Sequence, residues 1–284
     1  MSTRLSRLVL RQGSDEAPPP LVPLRAGPLT LVLEGPDLRY IRLGDVEIVR
    51  RLHVSVRDRN WGTVAPRLSN VVVEKHADSF RVSFDAESRE GEIDFAWRGE
   101  VTGAPDGTIA YTLDGEARSD FLRNRLGFCI LHPIRECAGA PCRVVHADGS
   151  VEEGTFPRLI APRAPFQEMR AIFHEVTPGV RADLEMEGEI FEMEDQRNWT
   201  DASFKTFCTP LRIPFPAAVS RGARIAQSVT LRLRGKAPPR PARAPGDQVS
   251  IEVHGGGGRP LPEMGLGAAS HGEPLTEREI LRLR

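Results

Sequence analysis

The sequence predicts an all-β fold, an antiparallel β-sandwich-like or two-layer domain. Short alternating or β-branched runs recur over residues 29–234, and Gly, Pro, Asp and Asn separate them, as is typical of strands joined by turns. Helical periodicity is nearly absent over the same range. The clearest turn is Asp148–Gly149, which lies between two strand-like runs and favours a tight hairpin with positive φ.

The N-terminal residues 1–20 are expected to form a flexible tail. Their apolar run at 8–10 is too short for the core of a secretory signal. No apolar run elsewhere approaches the roughly 20 residues of a spanning helix. Four cysteines without a CxxC pair are few for 284 residues. They predict free thiols in a reduced, cytoplasmic protein.

Residues 21–234 form the predicted β-sandwich-like domain, and its later strands carry the most information. The run 181–190 places Ala182, Leu184 and Met186 on one face and acidic side chains on the other. The phase breaks at 188–191, which indicates a bulge or a strand end. Residues 229–234 alternate between apolar and largely basic side chains. This basic face either lies opposite the acidic one or is solvated by itself.

After Arg234 the composition changes to a Pro-rich linker, residues 235–247, which is expected to be extended. Residues 248–284 read as a strand, a Gly-rich loop, a short buried strand at 264–267 and a helix. Thr276 and Glu279 match a capping box that opens this helix. Because a strand followed by a helix begins a (β/α) barrel or an open α/β sheet, we expect the truncated start of a second domain here.

The densest polar cluster surrounds Trp199, in residues 191–205. Many charges around a large apolar ring, without Gly or Pro, are unusual for an ordinary turn. We expect the phase break to aim Trp199 and its neighbours into a shared hollow. The cluster lines a site, forms a domain interface or orders a sheet edge. Glu194 and Asp195 are adjacent, so on a strand they face opposite ways, which argues against a glycoside hydrolase.

Three other places are candidates for function. Residues 58–61 contain the Arg-Asn-Trp tripeptide that recurs at 197–199, and 123–125 are also polar, so these segments either converge on one cleft or repeat by chance. His132 ends an apolar run and is either a general base or ligand, or a packing residue. His271 follows the expected first barrel strand, where barrel enzymes place working residues, and is either a substrate ligand or a loop residue.

Other chemistries lack their motifs. There is no GxSxG elbow, P-loop or GxGxxG after a strand, and no HExxH or Cys/His set at ligand spacing, so we expect neither a cofactor nor a metal. The formal net charge is −1 and basic residues are scattered among acids. This balance predicts no nucleic-acid partner and no membrane partner.

Four stretches together resemble the D-apionate lactonase family: LRYIRLGDVEIVRRLHVSVRDRNWGT, RNRLGFCILHP, FEMEDQRNWTDASFKTFCTPLRIPFP and GLGAASHGEPLTEREILRLR. The resemblance implies an N-terminal β-rich, sandwich-like domain, then a (β/α) barrel and a further small β domain, which together hydrolyse the lactone of a branched sugar acid. This chain would hold the β domain and the first strand and helix of the barrel. Contact with a missing barrel domain is part of that expectation.

Opening a lactone needs a group that activates water and donors that hold the developing oxyanion. The catalytic candidates are Glu194, Asp195 and Lys205. The substrate-binding candidates are Arg197, Asn198, Trp199, Asp201, Arg59, Asn60, Trp61, Arg123, Asn124, His132 and His271. The expected ligand is a sugar lactone or another carbohydrate. The alternative function is a non-catalytic accessory β-sandwich that binds carbohydrate or packs against a catalytic barrel.

Overall fold

The computed structural model describes residues 6–235 and 274–283, which belong to two compact units, Met1–Pro241 and Ala242–Arg284. Strands dominate the first unit, as the alternating runs predict. Its elements are α1 (Arg7–Gln12), β1 (Leu21–Ala26), β2 (Leu29–Glu34), β3 (Asp37–Leu43), β4 (Val46–Asp58), β5 (Pro66–Lys75), β6 (Phe80–Glu90), β7 (Ile93–Gly103), β8 (Ile109–Ala117), β9 (Phe121–Pro133), α2 (Ile134–Cys137), β10 (Pro141–His146), β11 (Val151–Thr155), β12 (Met169–Thr177), β13 (Val180–Glu187), β14 (Glu192–Asp195), a 3₁₀ helix (Gln196–Trp199), β15 (Ser203–Phe207), β16 (Ala217–Val219) and β17 (Arg224–Gly235). In the second unit, α3 spans Glu277–Leu283.

The strands form two antiparallel sheets. The eight-stranded sheet has the order β1-β2-β3-β4-β9-β15-β14, and β16 also pairs with β9. The nine-stranded sheet has the order β11-β10-β12-β13-β17-β8-β7-β6-β5. These pairings confirm the all-β, antiparallel prediction.

The two sheets share one apolar core, as in a β-sandwich. Tyr111 on β8 reaches across from the nine-stranded sheet, and its ring centroid lies 4.9 Å from that of Phe128 on β9. Its hydroxyl donates to the carbonyl of Pro36 at 2.8 Å, so this buried polar group is satisfied. Alternation along strands such as β6, β7 and β8 buries every second side chain between the layers.

The phase break at 188–191 is a strand end at which the chain changes sheets. β13 ends at Glu187 in the nine-stranded sheet, and β14 begins at Glu192 in the other. Gly188 has φ +87, a left-handed conformation that glycine adopts without strain. Phe191 and Met169 exchange backbone hydrogen bonds of 3.1 and 2.7 Å, which hold the crossing segment.

The acidic and basic faces of the late strands meet. β13 pairs with β17, and Asp183 lies opposite Arg232. Arg234 Nε donates to Asp183 at 3.1 Å, and Arg232 forms an ion pair with Glu185. Of the two alternatives, the structure therefore confirms the cross-strand one.

Local signals at turns and helix ends are also informative. The predicted hairpin joins β10 to β11, with Gly149 at φ +85. The Thr276 hydroxyl donates to Glu279 at 2.7 Å, and the Glu279 N–H bonds back to it at 3.4 Å, which confirms the capping box of α3. The stretch expected to be a flexible tail contains α1, whose first turn Ser6 caps through the N–H of Val9.

Several predictions lie outside the described residues: the linker beyond Gly235, the strand and Gly-rich loop after it, the first barrel strand and His271. Within the described ranges, none of the helices has the length and apolar character needed to span a bilayer. All four cysteines are buried and unpaired, which confirms the prediction of free thiols.

Candidate functional site

The outward side of the eight-stranded sheet carries an unusual density of charge. Along β4, Leu52 and Val56 point to the core. Alternation therefore turns the side chains of residues 51, 53, 55 and 57 outward. The register continues this row across β9, β15 and β14. We call this surface the charged face: Arg51, His53, Ser55, Arg57, Arg125, Cys129, Glu192, Glu194, Lys205 and Phe207.

Glu194 and Lys205 form an accessible ion pair on the charged face. They are cross-strand partners, and Lys205 Nζ lies 2.9 Å from Glu194 Oε2. About a quarter of each side chain is exposed, 26% and 24%. The ammonium also lies 5.0 Å from the centroid of the Phe207 ring. The pair is thus positioned and still reachable by a small molecule.

Arg125 is a buried cation on the same face. Its guanidinium is sandwiched between Trp61, 5.0 Å away, and Phe207, 4.5 Å away, and the residue is 6% exposed. It donates to the carbonyl of Asn124 at 3.0 Å, and no described carboxylate lies within ion-pair distance. Burial lowers the pKa of Arg125, and the charge of Glu192 opposes this shift. The guanidinium charge is therefore not neutralised by an ion pair within the described chain.

Glu192, beside this cation, is a buried carboxyl group with a raised pKa. It is 4% exposed and accepts a hydrogen bond from the N–H of Leu211 at 2.7 Å. Burial raises its pKa above the ordinary value, whereas the Leu211 hydrogen bond and Arg125 lower it by less. A carboxyl group with a raised pKa can act as a general acid or base closer to neutral pH.

Asp195 has a different environment from the one expected of a base. It is 1% exposed and points away from the charged face, as strand alternation predicts. Its oxygens accept from Arg197 N (3.1 Å), Nε (2.9 Å) and Nη2 (2.7 Å), and from Ala161 N (2.9 Å). Burial opposes ionisation, but these bonds outweigh it and the pKa of Asp195 is lowered. We therefore reassign Asp195 from general base to structural anchor.

Arg197 and Asn198 hold the loop 157–161 instead of facing a cleft. The Arg197 guanidinium lies 5.1 Å from the ring centroid of Phe204, a core residue. Asn198 Nδ2 donates to the carbonyl of Ala161 at 2.6 Å. Arg197 donates to the carbonyls of Pro157 (3.0 Å), Arg158 (2.9 Å) and Leu159 (3.0 Å). These donors are occupied, so the structure favours loop ordering over substrate binding for both residues.

The expectation that Trp199 projects into a hollow is wrong. Its side chain is 70% exposed at the end of the 3₁₀ helix, where Thr200 adopts φ +65. Strand alternation stops at Asp195, so the helical turn sets the direction of the indole. Asp201 is also exposed and accepts from the Ser203 hydroxyl at 3.2 Å.

Two of the three polar segments meet. Asn124 Nδ2 donates to the carbonyl of Arg59 at 3.1 Å, and Trp61 stacks on Arg125. The side chains of Arg59 and Asn60 are exposed beside them, while Arg123 donates to the hydroxyl of Thr209. Among the described residues, no hydrogen bond, ion pair or ring contact joins 59–61 to 197–199. The tripeptide repeat therefore does not bring those two segments into contact.

His132 is a core residue. It is 0% exposed, and its Nε2 lies 2.8 Å from the Thr206 hydroxyl in a hydrogen bond. Burial lowers its pKa to about 3, so the ring is neutral. Its centroid lies 5.9 Å from that of Phe156. This placement supports the packing alternative and argues against contact with substrate.

Of the charged face, sequence reasoning proposed a role only for Glu194 and Lys205. Glu192 and Arg125 lay in polar segments that it named but received no role, and His53 was not singled out. The signal was present in β4, where polar residues at 51, 53, 55 and 57 alternate with Leu52, Val54 and Val56. Arg125 and Glu192 carry no comparable local pattern, because only pairing with distant strands places them. In the described part of the chain, no three His, Cys, Asp or Glu residues are grouped to hold a metal ion.

Two structural relatives share the sandwich. The putative aldose 1-epimerase of Escherichia coli K12 has a TM-score of 0.51 at 12% identity, over 76% of this chain and 99% of its own. The Slr1438 protein of Synechocystis sp. PCC 6803 has a TM-score of 0.52 at 9% identity, over 78% and 99%. At such identities the likeness concerns the fold alone.

Sequence similarity is more specific. The D-apionate lactonase of Brucella anthropi is 40% identical over 215 residues, which are 74% of this chain and 35% of that protein. The chain thus matches about a third of the length of this relative. The family model described as D-apionate lactonase, N-terminal domain, matches residues 9–236. With its sandwich and charged face in that range, the chain belongs to the D-apionate lactonase N-terminal domain family.

Proposed function

We propose that this chain takes part in hydrolysis of a sugar-acid lactone, supplying the N-terminal β domain and part of the site of a D-apionate lactonase-like enzyme. The observation that carries the proposal is the reachable Glu194–Lys205 pair, on the outward face of a domain 40% identical to a D-apionate lactonase. The ligand is a small-molecule sugar lactone.

The chemistry follows from the charged face. Glu194 accepts a proton from water as the water oxygen attacks the lactone carbonyl. Lys205 and Arg125 hold the negative charge that develops on the carbonyl oxygen. The ring C–O bond then breaks, and the leaving hydroxyl takes a proton from Glu192 or from Glu194. The product is a carboxylic acid with a free alcohol; the acid then releases its proton to water and becomes a carboxylate.

Trp61 and the residues before it supply the sugar-binding edge in this proposal. The Trp61 ring is 40% exposed, so its free side can pack on the C–H face of a sugar. Arg59 and Asn60 are exposed next to it and can bond to hydroxyl groups.

A barrel that begins within 248–284 is a further part of the proposal. The capped helix α3 supports it, as does the length of the Brucella anthropi relative, of which the alignment covers 35%. In this proposal the barrel supplies the catalytic residues that this chain does not hold.

The test is acid release from sugar lactones, measured for this chain and for a version extended through any downstream reading frame. We expect Glu194→Gln and Lys205→Met to lower kcat/KM by about a hundredfold in the active version, the scale of a lost general base or oxyanion donor. Glu87→Gln is the matched control, because Glu87 forms an exposed ion pair with Arg118 on the other sheet. Normal rates in both site variants would remove the pair from the mechanism.

A second candidate function, the accessory sandwich that packs against a catalytic barrel, has one observation in its favour. Leu159, Ile160 and Trp199 are 82%, 53% and 70% exposed. Arg197, two residues before Trp199, donates a hydrogen bond to the carbonyl of Leu159 and so links the two segments. Large exposed apolar side chains are typical of contact surfaces where they lie together. Turnover in neither version, with saccharide binding retained, would favour this function over catalysis.

A further inference from the structure

The eight-stranded sheet has an opening beside β4. The pairing of β3 with β4 stops at Leu38 and Leu52, and the next backbone contact on that edge joins Val64 N to Val56 O at 2.9 Å. Between them, β4 residues 53–55 have no strand partner on this side within the described chain. A cavity of about 790 Å³ occupies the opening. This volume is within the range of small-molecule sites, roughly 300–1,000 Å³.

Three successive outward residues of β4 line this cavity: His53, Ser55 and Arg57. His53 Nδ1 is buried and has no hydrogen-bond partner, which is costly unless a ligand or water supplies one. Burial, followed by the charges of Arg51 and Lys205, lowers the pKa of His53 to about 3, so the imidazole is neutral. A neutral imidazole can both donate to and accept from hydroxyl groups.

Arg57 gives the cavity a surplus positive charge. It donates to the carbonyl of Trp61 at 3.0 Å and forms no ion pair with a described carboxylate. It lies directly opposite Arg125 in the strand register, and like charges in that relation destabilise a sheet. The other cations at the cavity are neutralised: Arg39 by Glu34 and Arg51 by Asp37.

One further wall of the cavity is apolar. Val64, Leu68 and Val73 face the same space. A cationic group at one end, hydrogen-bonding side chains along one wall and apolar surface opposite match a polyhydroxylated carboxylate better than they match a bare inorganic anion.

We propose that the β4 cavity binds the open-chain sugar acid, with Arg57 pairing its carboxylate and with His53 and Ser55 bonding the adjacent hydroxyls. The inference rests on the proposed function for the identity of the ligand. Two strand spacings separate β4 from Lys205 on β15, about 10 Å, so the product of lactone opening can reach the cavity without leaving the charged face.

The experiment is calorimetric titration of the 284-residue chain with D-gluconate, with the neutral polyol D-sorbitol and with inorganic phosphate. These probes need no turnover, so loss of hydrolytic activity and loss of this site are distinguishable. We expect saturable binding of gluconate and binding of sorbitol that is weaker by about tenfold or more, since charge-assisted bonds to a guanidinium are lost. Phosphate should bind more weakly than gluconate.

Variants assign the binding to the cavity. Arg57→Gln should weaken gluconate binding by about tenfold or more, and Ser55→Ala, a smaller change, by a few-fold. Arg81→Gln is the charge-matched control, because Arg81 lies on β6 of the other sheet and is 59% exposed; its binding should match the wild type. Absence of gluconate binding, equal binding by Arg57→Gln, or phosphate binding as tight as gluconate binding would each overturn the proposal.

Discussion

Glu194 and Asp195 are consecutive carboxylates in opposite environments. Glu194 faces outward and forms an ion pair with Lys205, and both side chains are partly exposed. Asp195 faces the core, where its carboxylate accepts hydrogen bonds from Arg197 and from a backbone N–H. The same side-chain chemistry therefore gives a reactive candidate at one position and a structural anchor at the next.

Replacing Asp195 should cost stability. We expect Asp195→Asn to lower the free energy of unfolding by roughly 3 kcal/mol, because it leaves the Arg197 charge without its buried partner. Denaturant unfolding followed by circular dichroism measures the loss. Glu87→Gln, in an exposed ion pair, should change stability by less than about 1 kcal/mol. Equal losses in the two variants would contradict the anchoring role.

Three histidines, two of them buried and His53 half-buried, make stability depend on pH. Burial lowers the pKa of His53 and His132 to about 3 and that of His174 to about 4. The unfolded imidazole titrates near 6.5, so the unfolded chain binds more protons below that pH. We therefore expect the free energy of unfolding to fall as pH is lowered from about 6.5 towards 4. The raised pKa values of Glu192 and Asp37 act in the opposite direction and reduce the fall.

The contribution of one histidine can be isolated. His132→Gln keeps a hydrogen-bonding group beside Thr206 and removes one titrating site. The slope of unfolding free energy against pH between about 6 and 4 should become shallower by about 1.4 kcal/mol per pH unit. An unchanged slope would show that His132 is already protonated in the folded chain.

Residue types alone pointed to part of the candidate site. Glu194, Lys205 and the 59–61 segment were singled out because charges and a tryptophan are dense there, and alternation separated Glu194 from Asp195. Trp199 was misplaced because the 3₁₀ helix ends the alternation. Arg125 was missed because its role depends on Trp61 and Phe207, which are distant in sequence.

At the scale of single elements, the crossing from β13 to β14 depends on Gly188. A Cβ at this position would lie 2.0 Å from the carbonyl oxygen of Ala226, and φ is +87. We expect Gly188→Ala to destabilise the protein by at least about 2 kcal/mol, from both the backbone conformation and the clash. Thermal and denaturant unfolding would measure it.

Gly149 is the matched control for that prediction. It has φ +85 in the β10–β11 hairpin, and a Cβ there meets nothing within 4 Å. Gly149→Ala should therefore cost only the backbone term, about 1 kcal/mol. If the two variants lose the same amount, close approach to Ala226 has no energetic effect.

Strands and turns were predictable where the signal is local. The hairpin at 148–149 and the opposed faces of β13 and β17 follow from alternation and turn residues. The placement of β14 and β15 in the other sheet does not, because partner choice over long separations depends on the whole core. Alternation tells which side chains share a face and not which strand lies beside them.

At the scale of the molecule, the unit Met1–Pro241 holds a complete pair of sheets with one core. We expect a version that ends at Pro241 to fold and to unfold in one cooperative transition. Circular dichroism reports the sheets, and tryptophan fluorescence reports Trp97, which is 4% exposed. Coincident curves are the expected result, and separate transitions would show that the sheets unfold independently.

The order in which the sheets are filled affects how the protein reaches its native state. After β1 to β4 the chain builds β5 to β8 of the opposite layer, returns for β9, leaves for β10 to β13, returns for β14 to β16 and ends in β17. Neither layer is complete until residues near the end of this range are available. Pairing between strands that are far apart in sequence is typical of slow folding. During synthesis, the half-built layers would present unpaired edges for a prolonged time, so chaperone dependence during expression is an expected property of this sandwich.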